Sequence, residues 1–167
     1  PAVLGTHGRT DFNRNVMGGV SAKLVRTSPI PVMWVREAGS DRTPVVVTRD
    51  DHGLNIARRY GATVHVLYVV DTRASRSGPL VDALRDEGRA AVRRIEVAAA
   101  TAGLTVVTSI AQGVPVREIL AYSAAHGIDL VVMGTRGRTG ADRAVLGSVA
   151  ERVVRRSDVP VLTVRSG

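Results

Sequence analysis

The chain has 167 residues, a formal net charge of +8, 44% hydrophobic and 3% aromatic residues, and no cysteine. This length allows one domain with some additional chain, and the lack of cysteine excludes disulfides, thiolate zinc sites and cysteine nucleophiles. With so few aromatic residues the core must consist of Val, Ile, Leu and Ala, a mixture typical of buried parallel strands covered by helices. The composition therefore favours an α/β class.

The basic residues are scattered along the chain. Of the 23 Lys and Arg residues only Lys23 is a lysine, and the arginines stand singly or in pairs among 15 acidic residues. Solvated helix faces explain this pattern better than a nucleic-acid surface does. No run reaches the roughly 18 apolar residues of a membrane span, and the first residues lack the layout of a signal peptide. We expect a soluble cytoplasmic protein with no nucleic-acid or membrane partner.

A repeated unit opens the chain. A shift of 129 positions places residues 3–10 on residues 132–139, and the correspondence continues without a gap to residue 36. The unit is predicted to contain a strand end, a glycine loop, a helix and a short strand introduced by proline. We interpret residues 1–37 as the C-terminal remnant of a first domain copy, 38–44 as a linker, and 45–167 as the second copy with a shortened first crossover.

Strand and helix patterns alternate along the second copy. Apolar runs rich in β-branched residues predict strands at 45–48, 63–70, 105–110, 130–133 and 159–164. Helices are predicted at 51–60, between Pro79 and Gly103, from Pro115 to His126-Gly127, and from about 144 to 157. The long second helix is expected to turn Leu80, Leu84, Ala91, Val92, Ile95 and Ala99 inward. Right-handed crossovers wind this order into a doubly wound parallel sheet.

A glycine loop follows the fourth strand of this copy. Gly134-Thr135-Arg136-Gly137 is followed by nine residues and then Gly147-Ser148 at the start of a helix. Glycine allows close backbone approach to a ligand, and the helix N-terminus offers free N–H groups and a partial positive charge. The Ser148 hydroxyl and the charge of Arg136 or Arg138 would add to this anion site. The spacing alone is also compatible with simple turn chemistry.

G-x-x-G-x9-G-S/T after the fourth strand is the ATP-binding signature of the universal stress protein family, and the chain resembles that family over nearly its whole length. Gly113-Val114-Pro115 and the closing segment 147–162 are similar to it as well. The resemblance implies a five-stranded parallel sheet of order 3-2-1-4-5, of the adenine nucleotide α-hydrolase-like type. It also implies a non-enzyme, with at most slow ATP hydrolysis, that binds ATP, which Mg²⁺ can accompany.

The same resemblance implies the nucleotide-binding residues. Asp50, at the end of the first strand, would contact the adenine or ribose, and the backbone near Val69-Val70 would face the adenine. The complete set is Asp50, Val70, Met133, Gly134, Arg136, Gly137, Arg138, Gly147, Ser148 and Val149. The N-terminal copy has Gly19 where Ser148 stands and is expected to bind no nucleotide.

Two functions are compatible with these observations: a nucleotide-dependent stress-response module, and a nucleotide-free dimerisation and interaction module of the same fold. In the family the last strands of two domains pair, so 31–36 is expected to pair with 159–165 of this chain or of a neighbour, giving a pseudo-dimer or a homodimer. The four histidines lack metal-ligand spacing and are predicted at the surface or at strand ends. They are His7, His52, His65 and His126.

Overall fold

The computed structural model describes residues 2–5, 32–35, 46–47, 51–73, 78–134 and 147–164, with the backbone alone in the first three segments and at 51–52. The strands are β1 (Ala2–Gly5), β2 (Val32–Val35), β3 (Val46–Val47), β4 (Val64–Asp71), β5 (Val106–Gly113), β6 (Leu130–Gly134) and β7 (Val161–Val164). The helices are α1 (Asp51–Tyr60), α2 (Gly78–Thr101), α3 (Pro115–Ala125) and α4 (Ser148–Arg156).

All described strands join one sheet in the order β1-β2-β7-β6-β3-β4-β5. Every neighbouring pair is parallel except β2 and β7. The α/β class with parallel strands and covering helices is thus confirmed. The sheet has seven strands rather than the expected five because β1 and β2 extend it beyond β7.

The antiparallel pair joins the N-terminal segment to the end of the chain. Val32 lies opposite Thr163, Met33 opposite Leu162, and Trp34 opposite Val161. This confirms the expected pairing of 31–36 with 159–165, and the partner belongs to the same chain. The edge of β7 that would otherwise present unpaired N–H and C=O groups is covered.

The sheet separates two groups of buried side chains. On one face, Val64 and Val66 pack with α1 and α2; on the other, side chains of α3 and α4 cover the sheet. Successive residues of β6 alternate between the faces, so that Val131 lies with α3 and α4 and Val132 with α1 and α2. Both faces of β6 are therefore buried, as its valine-rich sequence requires, whereas the outer strand β5 carries exposed residues such as Val107 and Ile110.

The long helix follows its predicted pattern with one correction. Leu84, Ala91, Val92, Ile95 and Ala99 are buried, whereas Leu80 is 48% exposed. Leu80 stands in the first turn of α2, and the next inward positions are Leu84 and Gly88. The apolar stripe that contacts the sheet thus begins one turn later than the prediction.

Two boundaries differ from the predicted ones for local reasons. Strand β5 continues to Gly113 because residues 111–113 remain paired with 69–71 of β4. Strand β7 starts at Val161 because the buried Ser157 hydroxyl donates to the carbonyl of Val159 at 2.8 Å and accepts its N–H at 3.2 Å. Among the described helices none has the length and apolar character needed to cross a membrane.

Candidate functional site

The candidate site lies at the carboxyl ends of β3, β4 and β6. Strand β3 lies between β4 and β6 and is parallel to both, so these three strands end at the same edge of the sheet. From β3 the chain passes through α1 to β4 on one side, whereas β6 lies on the other side of β3. The order of strands along the sheet therefore reverses between β3 and β6. Open α/β sheets bind ligands at such switch points.

Three predicted residues occupy the strand ends at this edge. Met133 and Gly134 close β6 and are half-buried, with Gly134 opposite Val164 of β7. Val70 is completely buried near the end of β4 and lies opposite Gln112 of β5. A ligand in the crevice would therefore meet the backbone of Val70 rather than its side chain.

The start of α4 has backbone N–H groups that no described side chain caps. Gly147 is the N-cap residue, with φ −58° and ψ 145°, and no side chain among the described residues caps the helix there. The N–H of Glu151 bonds to the Gly147 carbonyl at 2.9 Å. Glu151 is thus the first residue whose N–H has an acceptor within the helix. The N–H groups of residues 148–150 precede it and have no acceptor within the helix. Ser148 is exposed beside them, so the helix dipole and the hydroxyl both favour a phosphate.

Val149 has a different environment from Ser148. Its side chain is half-buried against the core between α3, α4 and the sheet. It anchors the first turn of α4 to the core, and its backbone N–H belongs to the helix turn described above. Four other predicted residues lie outside the described residues, namely Asp50, Arg136, Gly137 and Arg138.

Sequence reasoning missed an ion pair at the end of β4, between its last residue, Asp71, and Arg73. The carboxylate of Asp71 accepts three hydrogen bonds from Arg73: from Nε at 3.0 Å, from Nη2 at 2.7 Å and from the Arg73 backbone N–H at 3.0 Å. These hydrogen bonds from Arg73 lower the pKa of Asp71, and the Asp71 carboxylate raises the pKa of Arg73. The signal in the sequence is Asp-x-Arg at the end of an apolar strand.

Sequence reasoning also missed a cluster of three aromatic rings. Of the two positions predicted for His65, strand end or surface, the first holds, because it is the second residue of β4, and the second is wrong, because its side chain is buried. Its Nδ1 lies 2.9 Å from the Tyr122 hydroxyl, and the Tyr122 ring stacks on that of His126 at 3.9 Å between centroids. Burial, and then the charge of His126, lower the pKa of His65, and burial raises the pKa of Tyr122.

The ring cluster lies away from the switch point. His65 is the second residue of β4, and His126 follows the C-terminus of α3, so both are near the amino ends of the strands. In the part of the chain that the structure describes, no three His, Asp or Glu residues group as a metal site. The hydrogen bond between His65 and Tyr122 makes the cluster a polar contact between β4 and α3.

Comparison with known proteins gives this architecture its family. The model of the universal stress protein family matches residues 2–36 and 50–165. The chain belongs to the universal stress protein family. Universal stress protein MJ0531 of Methanocaldococcus jannaschii is 37% identical over 133 residues, which cover 75% of this chain and 78% of that protein.

Solved universal stress proteins share the fold. One from Archaeoglobus fulgidus is 25% identical with a TM-score of 0.69, and the match covers 99% of this chain and 60% of that one. A universal stress protein in complex with cAMP is 27% identical with a TM-score of 0.58, and the match covers 77% of this chain and 100% of that one. The likeness to the first of these structures extends over the N-terminal strands as well.

Proposed function

We propose that this universal stress protein binds ATP and acts as a nucleotide-dependent regulatory module in the cytoplasmic stress response. The phosphates would lie at the start of α4, against the N–H groups of residues 148–150 and the Ser148 hydroxyl. The adenine would lie between Asp50 and the backbone of Val70, and Arg136 and Arg138 of the glycine loop would neutralise phosphate charge. The observation that carries the proposal is the start of α4 at Gly147-Ser148, which no side chain of the described residues caps.

A second line of support comes from a solved relative. The universal stress protein of similar fold that was solved with cAMP shows that an adenine nucleotide fits a protein of this family. The order β5-β4-β3-β6-β7 within the seven-stranded sheet supports the proposal of an adenine nucleotide α-hydrolase-like domain. Among the described residues, no histidine pairs with Ser148 to make it a nucleophile. We therefore propose that ATP acts by changing the conformation of the protein, with at most slow hydrolysis.

The domain organisation is part of the same proposal. Residues 1–37 would be the remnant of a first copy, 38–44 a linker, and 45–167 the nucleotide-binding copy. The match to the Archaeoglobus fulgidus protein covers 99% of this chain but only 60% of that longer one, which supports a tandem arrangement. Because β2 already pairs with β7, the chain would form a pseudo-dimer within itself rather than a homodimer through its last strand.

A charge placed at the start of α4 tests the phosphate site. Gly147→Asp puts a carboxylate where the phosphate would lie, while aspartate remains a favourable N-cap residue and so preserves the helix. Gly78→Asp is the matched control, because Gly78 begins α2 and has open space around it. ATP at 100 times its Kd should stabilise the unmodified protein and the Gly78 variant by about 2.7 kcal/mol. The Gly147 variant should gain far less.

The measurement is the melting temperature with and without ATP, together with mass spectrometry of nucleotide released from freshly purified protein. If ATP leaves the melting temperature of the unmodified protein unchanged and no nucleotide is released, the nucleotide proposal is wrong. Unimpaired partner binding in such a protein would then support the nucleotide-free interaction module. Equal stabilisation of the two aspartate variants would show that the phosphates bind elsewhere.

A further inference from the structure

The last residue of β4, Asp71, and the two residues after it are held by several hydrogen bonds although the turn is exposed. Asp71 takes three hydrogen bonds from Arg73, one of them from the backbone, so the turn closes on itself. The N–H of Thr72 also donates to the Gly113 carbonyl at 3.3 Å, which ties the turn to the end of β5. We call Asp71 with Arg73 the exit clamp.

A second tie holds the neighbouring strand. Gln112 lies opposite Val70 in the sheet, and its side-chain carbonyl accepts a hydrogen bond of 2.7 Å from Nη2 of Arg85 on α2. The backbone of Val70 therefore lies between the exit clamp, one residue later in the chain, and an anchored partner on β5. Both ties are at the carboxyl edge of the sheet.

Stability alone explains the exit clamp poorly. Arg73 is 47% exposed and Asp71 29% exposed, and ion pairs at such positions contribute little to folding because water screens them. The two-pronged bonding of a guanidinium to a carboxylate instead gives a defined geometry. A backbone segment that already holds the ligand-binding conformation loses less conformational entropy when the ligand binds, so binding is tighter.

We infer that Asp71 and Arg73 are positioning residues for the base side of the nucleotide site, holding the backbone of Val70 where it can receive an adenine. This inference rests on the proposed function, since it needs a nucleotide in the crevice. The clamp acts through Val70 and does not itself contact the base. It should therefore affect ligands that carry a base and spare those that consist of phosphate alone.

The test compares ATP with inorganic tripolyphosphate by titration calorimetry. Asp71→Asn and Arg73→Gln should each weaken ATP binding by about two- to thirtyfold, the range of indirect effects on a binding site, and leave tripolyphosphate binding unchanged. The double variant should be no weaker than either single one, because both break the same contact. Asp86→Asn is the control, since it breaks a 2.9 Å ion pair with Arg89 on the outer surface of α2.

Several results would overturn the inference. Equal losses for ATP and tripolyphosphate would assign the clamp a general structural role, as would a fall of more than about 3 °C in the melting temperature of the ligand-free variants. ATP affinity equal to that of the Asp86 variant would show that the clamp does not position the base. If the unmodified protein binds tripolyphosphate as tightly as ATP, the phosphate site stands and the base-side inference fails. If it binds neither, the proposed function fails and takes this inference with it.

Discussion

The ring of Tyr68 on β4 lies directly against the backbone of Gly88 on α2. A Cβ atom added to Gly88 would stand 2.6 Å from Cδ1 of the ring and 3.1 Å from Cγ. These atoms belong to the body of the ring rather than to a flexible chain end, so the ring cannot move aside cheaply. Glycine in the middle of this helix thus permits α2 to approach the sheet closely.

Gly88→Ala should therefore destabilise the protein even though alanine is the better helix former. Overpacking costs about 1–3 kcal/mol, which exceeds the roughly 1 kcal/mol that alanine contributes by helix propensity at most sites. Urea unfolding measures the difference. Gly78→Ala, with open space at the start of the same helix, should be neutral or slightly stabilising. A Gly88→Ala protein as stable as the unmodified one would contradict the close contact.

The hydroxyl of Ser157 links the end of α4 to the residues before β7. Ser157 is 2% exposed, and its hydroxyl bonds to both the carbonyl and the N–H of Val159. Ser157→Ala should lower the free energy of unfolding by about 1–3 kcal/mol, because buried polar groups lose their partner. Thr101→Ala is the control: it removes a hydroxyl bond to the carbonyl of Val97 at an exposed site, where water replaces it. Similar small losses in both variants would argue against a buried bond at Ser157.

The elements that sequence predicts well are those whose signal is local. Runs of β-branched residues predict β4 and β6, and a 3.6-residue period of apolar residues predicts α2. Pro115 marks the start of α3. The burial of His65 depends on Tyr122, which is 57 residues away, so no local pattern could predict it. In the candidate site, the strand ends and the start of α4 follow from the motif, whereas the exit clamp depends on side-chain geometry.

The ring cluster predicts a loss of stability in mild acid. Because the pKa of His65 is lowered in the folded state, the unfolded chain takes up its proton first, at its ordinary value of about 6.5. Stability should thus be fully present above this pH and should fall as pH drops from it towards the lowered pKa. His65→Gln should flatten the dependence, measured by urea unfolding between about pH 5 and pH 8.

A second histidine variant separates the two causes of that shift. His126→Gln removes the neighbouring charge and leaves the burial, so it should raise the pKa of His65 and reduce the acid loss only in part. NMR titration of the His65 ring in this variant measures the pKa directly. An unshifted His65 titration in the unmodified protein would contradict the buried position of the ring.

The pairing of β2 with β7 predicts how the oligomeric state depends on the N-terminal segment. A chain that begins at residue 45 lacks β1 and β2, so the uncharged strand Val161–Val164 would present unpaired N–H and C=O groups at the sheet edge. Such an edge is a template for another strand. We expect this truncated chain to dimerise, and the chain of residues 1–167 to remain monomeric, in sedimentation equilibrium. Because the carbonyl of Pro160 accepts the N–H of Val131, the backbone groups of residues 160 and 162 face β6 and those of 161 and 163 face β2. Thr163→Pro in the truncated chain therefore removes a backbone donor at the uncovered edge of β7 and should weaken the dimer if it forms through this edge. A truncated chain that stays monomeric at the same concentration and retains its melting temperature would show that β7 does not need the strand that now covers it.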